Sequence, residues 1–135
     1  MILRIESQHV DLLKKEAQKV DPIEACALLF GEILEEEVFV RKVVVTNNKL
    51  HSRKRFEISA ETVVNSMAAA EREGLEFVGL FHSHPAPATP SEIDIGFMRL
   101  WGDAVWLILS LTSGELEAYQ MKDGQIRKIT ISVII

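Results

Sequence analysis

Cysteine is almost missing from this chain, and so is any excess of positive charge. One cysteine, Cys26, stands among 135 residues, so no internal disulfide framework is available and a reducing compartment suits the sequence. Fifteen Lys and Arg against twenty Asp and Glu give a formal net charge of −5. That is the opposite of the basic stripe with which nucleic-acid binders cover one face. No apolar run approaches the ~20 residues of a membrane span. The longest, Ala25 to Phe30 and Ala104 to Leu109, have the length of core strands. A charged-then-apolar leader is also missing at the N-terminus. These absences predict a soluble, unexported, cytoplasmic protein whose partners are proteins or small molecules, with no role for nucleic acid or membrane.

What is present suits one domain over residues 1–135, because 47% of the residues are hydrophobic and a chain of this length can bury a real core. Val10, Leu13, Ala17 and Val20 recur at helical spacing, which predicts a helix over 7–20 with Ser7 as N-cap and Asp21-Pro22 as its stop. Two strands follow near 25–34 and 37–45, with the acidic run Glu35-Glu36-Glu37 as the tip of their hairpin. Ser59 opens a second helix that closes at Gly74, a residue suited to the left-handed position after a helix. Residues 76–83 read as a buried strand and Ser91 opens a third helix carrying Ile95, Met98 and Leu100. Strands near 105–111, 115–121 and 125–133 complete the order αββαβαβββ, an α/β fold with a mixed sheet flanked by helices.

The stretch "FHSHPAPATPSEID" carries the chemistry. On a strand that runs to residue 84, His82 and His84 project to one face and two imidazoles can converge on one ion. Pro85 ends the strand, and a short Pro-rich loop returns the chain so that Asp94, in the first turn of the next helix, can point back at them. Two His, one carboxylate and an open position for water make a standard catalytic zinc set. Glu92 is the rival carboxylate, but as the first helical residue after Ser91 it should face elsewhere. Ser91-x-x-Asp94 before an apolar run is equally a helix-capping pattern that needs no metal.

"HSHP", the loop to Pro90 and "SEID" together resemble the H-x-H-P…S-x-x-D signature of the JAMM (MPN-domain) metalloproteases. The resemblance extends to "DPIEACALLFG" at 21–31, "RFEIS" at 55–59 and "EGLEFVGLFHSHP" at 73–85, with Ala27 where that family usually has Gly. It implies a minimal, prokaryotic-type single-domain member with the JAB/MPN, cytidine-deaminase-like fold. His82, His84 and Asp94 would then hold Zn2+, whose bound water reaches a pKa of ~7. Glu24 would be the general acid and base, and Ser91 would donate its hydroxyl to the oxyanion. The implied activity is hydrolysis of the peptide or isopeptide bond after the C-terminal Gly-Gly of a ubiquitin-like modifier, the Gly-Gly tail docking by strand addition near 51–58. Processing of a sulfur-carrier protein's C-terminus is the rival within the same chemistry. A metal-free MPN scaffold is the rival outside it, although such relatives have lost motif residues that stand intact here. A zinc deaminase needs H-x-E and P-C-x-x-C, and neither is present. The reading leaves a homodimer open.

Three residues remain outside this set. Cys26 in an apolar strand reads as a small buried hydrophobe, and His9 as a surface helix residue. His51 opens "HSRKR", which is either a solvated basic loop or a contact for an acidic protein substrate.

Overall fold

A computed structural model describes residues 1–135 as ten elements. In chain order they are β1 Ile2–Glu6, α1 Ser7–Val20, β2 Cys26–Leu34, β3 Glu37–Thr46, α2 Ala60–Arg72, β4 Glu76–His84, α3 Glu92–Met98, β5 Val105–Ser110, β6 Leu116–Lys122 and β7 Gln125–Ile134. The strands follow the order β1-β3-β2-β4-β5-β6-β7 in one mixed sheet that closes on itself. No helix is long and apolar enough to cross a membrane.

β1 is the element that the sequence analysis lacks, and it is the one that closes the sheet. It pairs in parallel with β3 on one side and with β7 on the other. Leu3 and Ile5 are fully buried while their neighbours are not, a two-residue alternation that a five-residue strand at the chain start displays only briefly. Because Glu6 still pairs with Ile134, its backbone is extended and the chain turns directly into α1. Ser7 is therefore the first helical residue and no side chain caps α1. Other boundaries follow local chemistry. Ser59 accepts a hydrogen bond from the Thr62 amide at the start of α2, and Gly74 after its end takes φ 76°. α3 stops at Met98, and Leu100 lies beyond it, 79% exposed.

Two apolar layers sit on the two faces of the sheet. Ala27 and Leu29 of β2, with Val105, Leu107 and Leu109 of β5, join Val10, Leu13 and Ala17 of α1. The alternate residues Leu28, Phe30, Trp106 and Ile108 join Met98 and Ala70 from the α3 and α2 side. β4 runs between β2 and β5, antiparallel to one and parallel to the other. Its C-terminal end therefore opens where β2 begins, and this brings residues 24–26 beside residues 82–84. His9 is more covered than a surface residue, with 16% of its side chain exposed and a buried Nδ1 that lacks a hydrogen bond.

Gly31 marks the tightest backbone approach. The β2–β3 register shifts between Phe30 and Gly31, and a Cβ at Gly31 would run into the carbonyl oxygen of Phe39. Backbone cannot yield there as a side-chain tip could. Gly31→Ala should lose roughly 1–3 kcal/mol, the usual range for overpacking, read as a lower chemical-denaturation midpoint. An unchanged midpoint would show that the β2–β3 bulge absorbs a methyl group.

Candidate metal centre and catalytic cleft

β4 delivers both histidines to one side and uses the residue between them as an anchor. His82 and His84 are buried, and their Nε2 atoms lie 3.0 Å apart. Ser83 points the other way, where its Oγ accepts from the Ala25 amide at 2.8 Å while its own amide donates to the Ala25 carbonyl. His82 is further held by Phe56, stacked on its ring at 4.8 Å between centroids, and by the edge of Trp106 at 5.6 Å.

Asp94 completes a triangle of donor atoms. Its Oδ2 lies 3.1 Å from His82 Nε2 and 3.0 Å from His84 Nε2. Loop 85–90 makes this approach possible, because Ala88 is buried and its carbonyl accepts from the Tyr119 hydroxyl at 2.8 Å. That anchor sets the start of α3 over the end of β4. The helix then opens with a reciprocal capping box in which Ser91 Oγ accepts from the Asp94 amide and Asp94 Oδ2 accepts from the Ser91 amide. Glu92 is exposed.

The donor set fits a divalent cation. Two ring nitrogens and one carboxylate oxygen converge with too few protons to satisfy every contact. Bonds of ~2.0–2.2 Å at tetrahedral angles would put the ligand atoms roughly 3.3–3.6 Å apart, a few tenths of an ångström wider than the 3.0–3.1 Å found. His84 keeps Nδ1 toward the Pro87 carbonyl at 3.4 Å, which favours the tautomer with a free Nε2. The electrostatics agree. Burial pushes the Asp94 carboxyl up, but hydrogen bonds from His82 and His84 outweigh it and hold the group well below the usual carboxylate range. Burial dominates at His82 and lowers its pKa, which keeps a lone pair free for an ion. At His84 burial is opposed by the Asp94 hydrogen bond and the charges of Asp94 and Glu24, and the balance is upward.

Glu24 sits on the edge of this triangle. Its side chain is 1% exposed, Oε2 lies 3.6 Å from His84 Nε2, and Oε1 is buried without a partner. Ligand atoms of Glu24, His82 and His84 all fall within 4.8 Å of one another, so Glu24 is a second carboxylate within reach of an ion. Asp94 is nearer, and touches both histidines. Burial first of all pushes Glu24 up to about 8, with the His84 charge opposing. A carboxyl held near neutrality can both take and give a proton at physiological pH. Its backbone is clamped on both sides: the Glu24 amide donates to the Ser52 carbonyl, and its carbonyl accepts from Asn48 Nδ2 at 3.1 Å.

Asn48 is the organising residue that sequence reasoning missed. Its buried amide also reaches the Ser52 and Arg55 carbonyls, and its Oδ1 accepts from the Leu50 and Glu57 amides. A single side chain thereby folds the segment 48–57 over the site and ties it to Glu24. The only sequence signal was an Asn pair ahead of the basic run. Glu24, Arg53, Lys54, His84, Ser91 and Glu92 border a cleft of about 430 Å³. Cys26 is buried, with its thiol pushed up to about 11 chiefly by burial, as a structural cysteine should be.

A model of prokaryotic homologs of the JAB domain matches residues 6–122. The chain belongs to this JAB-domain family. It is 37% identical over 113 residues to the desampylase of Pyrococcus furiosus, an alignment that covers 82% of this chain and 76% of that protein. It is 28% identical over 113 residues to the desampylase of Haloferax volcanii, with 83% and 79% covered. The solution structure of a Desulfitobacterium hafniense protein superposes with a TM-score of 0.83 at 28% identity, covering 99% of this chain and 93% of that one. The JAB membership accounts for the mixed sheet and flanking helices of the fold.

The triangle makes a direct prediction. Purified protein should hold about one zinc per chain, and His82→Ala or Asp94→Ala should each remove most of it while Glu24→Gln retains it. Elemental analysis decides between the two carboxylates: an Asp94→Ala protein fully loaded with zinc would transfer the ligand role to Glu24.

Proposed function

We propose that this JAB-family chain, acting as one domain, is a zinc-dependent metalloprotease. Its substrate is the peptide or isopeptide bond after the C-terminal Gly-Gly of a ubiquitin-like modifier or sulfur-carrier protein. The observation that carries the reading is the buried triangle of His82, His84 and Asp94 with the unpartnered Glu24 oxygen at its edge. The desampylase names of two relatives point to removal of a protein modifier, and the cleft lies open to a protein substrate.

His82, His84 and Asp94 would hold the ion, which when bound supplies Lewis acidity that acidifies water and polarises the scissile carbonyl. The remaining work falls to the chain. Glu24 takes the proton of the attacking water through its free oxygen and returns it to the departing amine, a shuttle suited to a carboxyl pushed up to about 8. Ser91 Oγ uses a lone pair on the Asp94 amide, which leaves its hydroxyl proton free to donate to the oxyanion. The segment 51–58 lies outside the sheet ladder, and its backbone offers pairing to an extended tail whose glycines carry no side chains. The substrate chain would lie across the cleft beside His84.

Glu24→Gln tests the mechanism. Size is preserved and the base is lost, so kcat on a Gly-Gly-linked conjugate should fall by roughly 10²–10⁴-fold or more, with zinc content and substrate affinity near wild type. Normal turnover by a zinc-loaded Glu24→Gln protein would remove Glu24 from the proton path.

A further inference from the structure

Two cavities of different character flank the histidines, and the segment 50–58 forms a wall of both. Leu50, Phe56, Phe97, Trp101 and Trp106 border an apolar cavity of about 360 Å³. Arg53 and Lys54 border the cleft with Glu24, His84 and Ser91. Both cations are exposed. Lys42 pairs with Glu73 and Lys49 with Glu57, whereas Arg53 and Lys54, like Arg55 beside the apolar cavity, have no ion-pair partner in the chain. Glu92, on the opposite wall, is the single exposed carboxylate bordering the cleft.

Proton delivery orients the substrate across these cavities. This step rests on the isopeptidase reading above. Glu24 must lie within hydrogen-bond reach of the departing amine, and Glu24 borders the cleft but not the apolar cavity. The amine side of the scissile bond therefore occupies the cleft and meets Arg53 and Lys54. The acyl side runs along Arg55 to Ile58 beside the apolar cavity. We infer that Arg53 and Lys54 select for acidic groups on the amine side of the scissile bond, so that the preferred conjugates carry carboxylates next to the modified lysine. Arg53, Lys54 and Arg55, unpaired in a protein of net charge −5, form a local field opposite to that of the molecule as a whole, and the first two border the cleft, a pattern that steers one class of partner.

The test uses zinc-loaded protein and three conjugates. A Gly-Gly-terminated ubiquitin-like protein from the same genome is joined through an isopeptide bond to a fluorescent peptide whose lysine is flanked by Glu, Gln or Arg. Cleavage is followed with the wild type and binding by fluorescence anisotropy with Glu24→Gln. The Glu-flanked conjugate should bind roughly tenfold more tightly than the Arg-flanked one, as two exposed ion pairs allow, and added salt should narrow the gap. Arg53→Glu with Lys54→Glu should reverse the order. Cleavage of all three conjugates with equal binding would overturn this inference alone, as would a preference that survives the double reversal. No cleavage of any conjugate by the zinc-loaded wild type would overturn the isopeptidase reading and this inference with it.

Discussion

One oxygen atom organises this site. Oδ2 of Asp94 lies at hydrogen-bond distance from His82, His84 and the Ser91 amide at once. In sequence the helix-capping and metal readings of Ser91-x-x-Asp94 compete, because each explains the pattern without the other. In the fold they are one arrangement. The cap fixes the rotamer of Asp94, and the fixed rotamer aims a lone pair at the histidines. A flexible carboxylate would have to be ordered on metal binding, at a cost in side-chain entropy; here the ordering is done by folding. The burden is a desolvated anion in the core, which only cations or several hydrogen bonds can offset.

That burden explains how much of the surrounding structure is devoted to holding the groups apart from water yet in register. Ser83 anchors β4 to the chain entering β2, Tyr119 anchors loop 85–90, and Asn48 anchors the segment over Glu24. Each anchor joins elements distant in sequence: 58 residues separate Ala25 from Ser83, and 31 separate Ala88 from Tyr119. Such contacts leave no local signature. His82, His84 and Asp94 were legible because their spacing on a strand, a loop and a helix start is itself geometric. Glu24 was legible only through its resemblance to a family motif, since its burial depends on Asn48 and on residues 82–84. Asn48 and Ser83 could not be singled out, being ordinary polar residues until the chain is folded.

The sheet repeats the lesson at larger scale. β2 and β5 advertise themselves because both of their faces are apolar, as strands covered on both sides must be. β1 does not. Its alternation covers two buried residues, Leu3 and Ile5, and its assignment depends on partners 35 or more residues away. Its pairing with β7 closes the sheet on itself. Closure removes free strand edges, and with them the place where an extended substrate tail would most readily add.

On the proposed reading an extended tail would have to pair instead with the segment 51–58, which lies outside the ladder. That segment is held by hydrogen bonds to Asn48 and Glu24 rather than by strand pairing. Its Phe56 stacks on His82, its Arg53 and Lys54 border the cleft, and its shape depends on a single buried amide, Asn48. A tail that pairs with it would press Phe56 onto the ring of a residue at the centre of the triangle. On that reading, docking would be linked to the position of His82 through one aromatic contact. A tail without side chains can approach that wall closely, and bulkier residues at the same places would push it away from His82 before reaching the histidines.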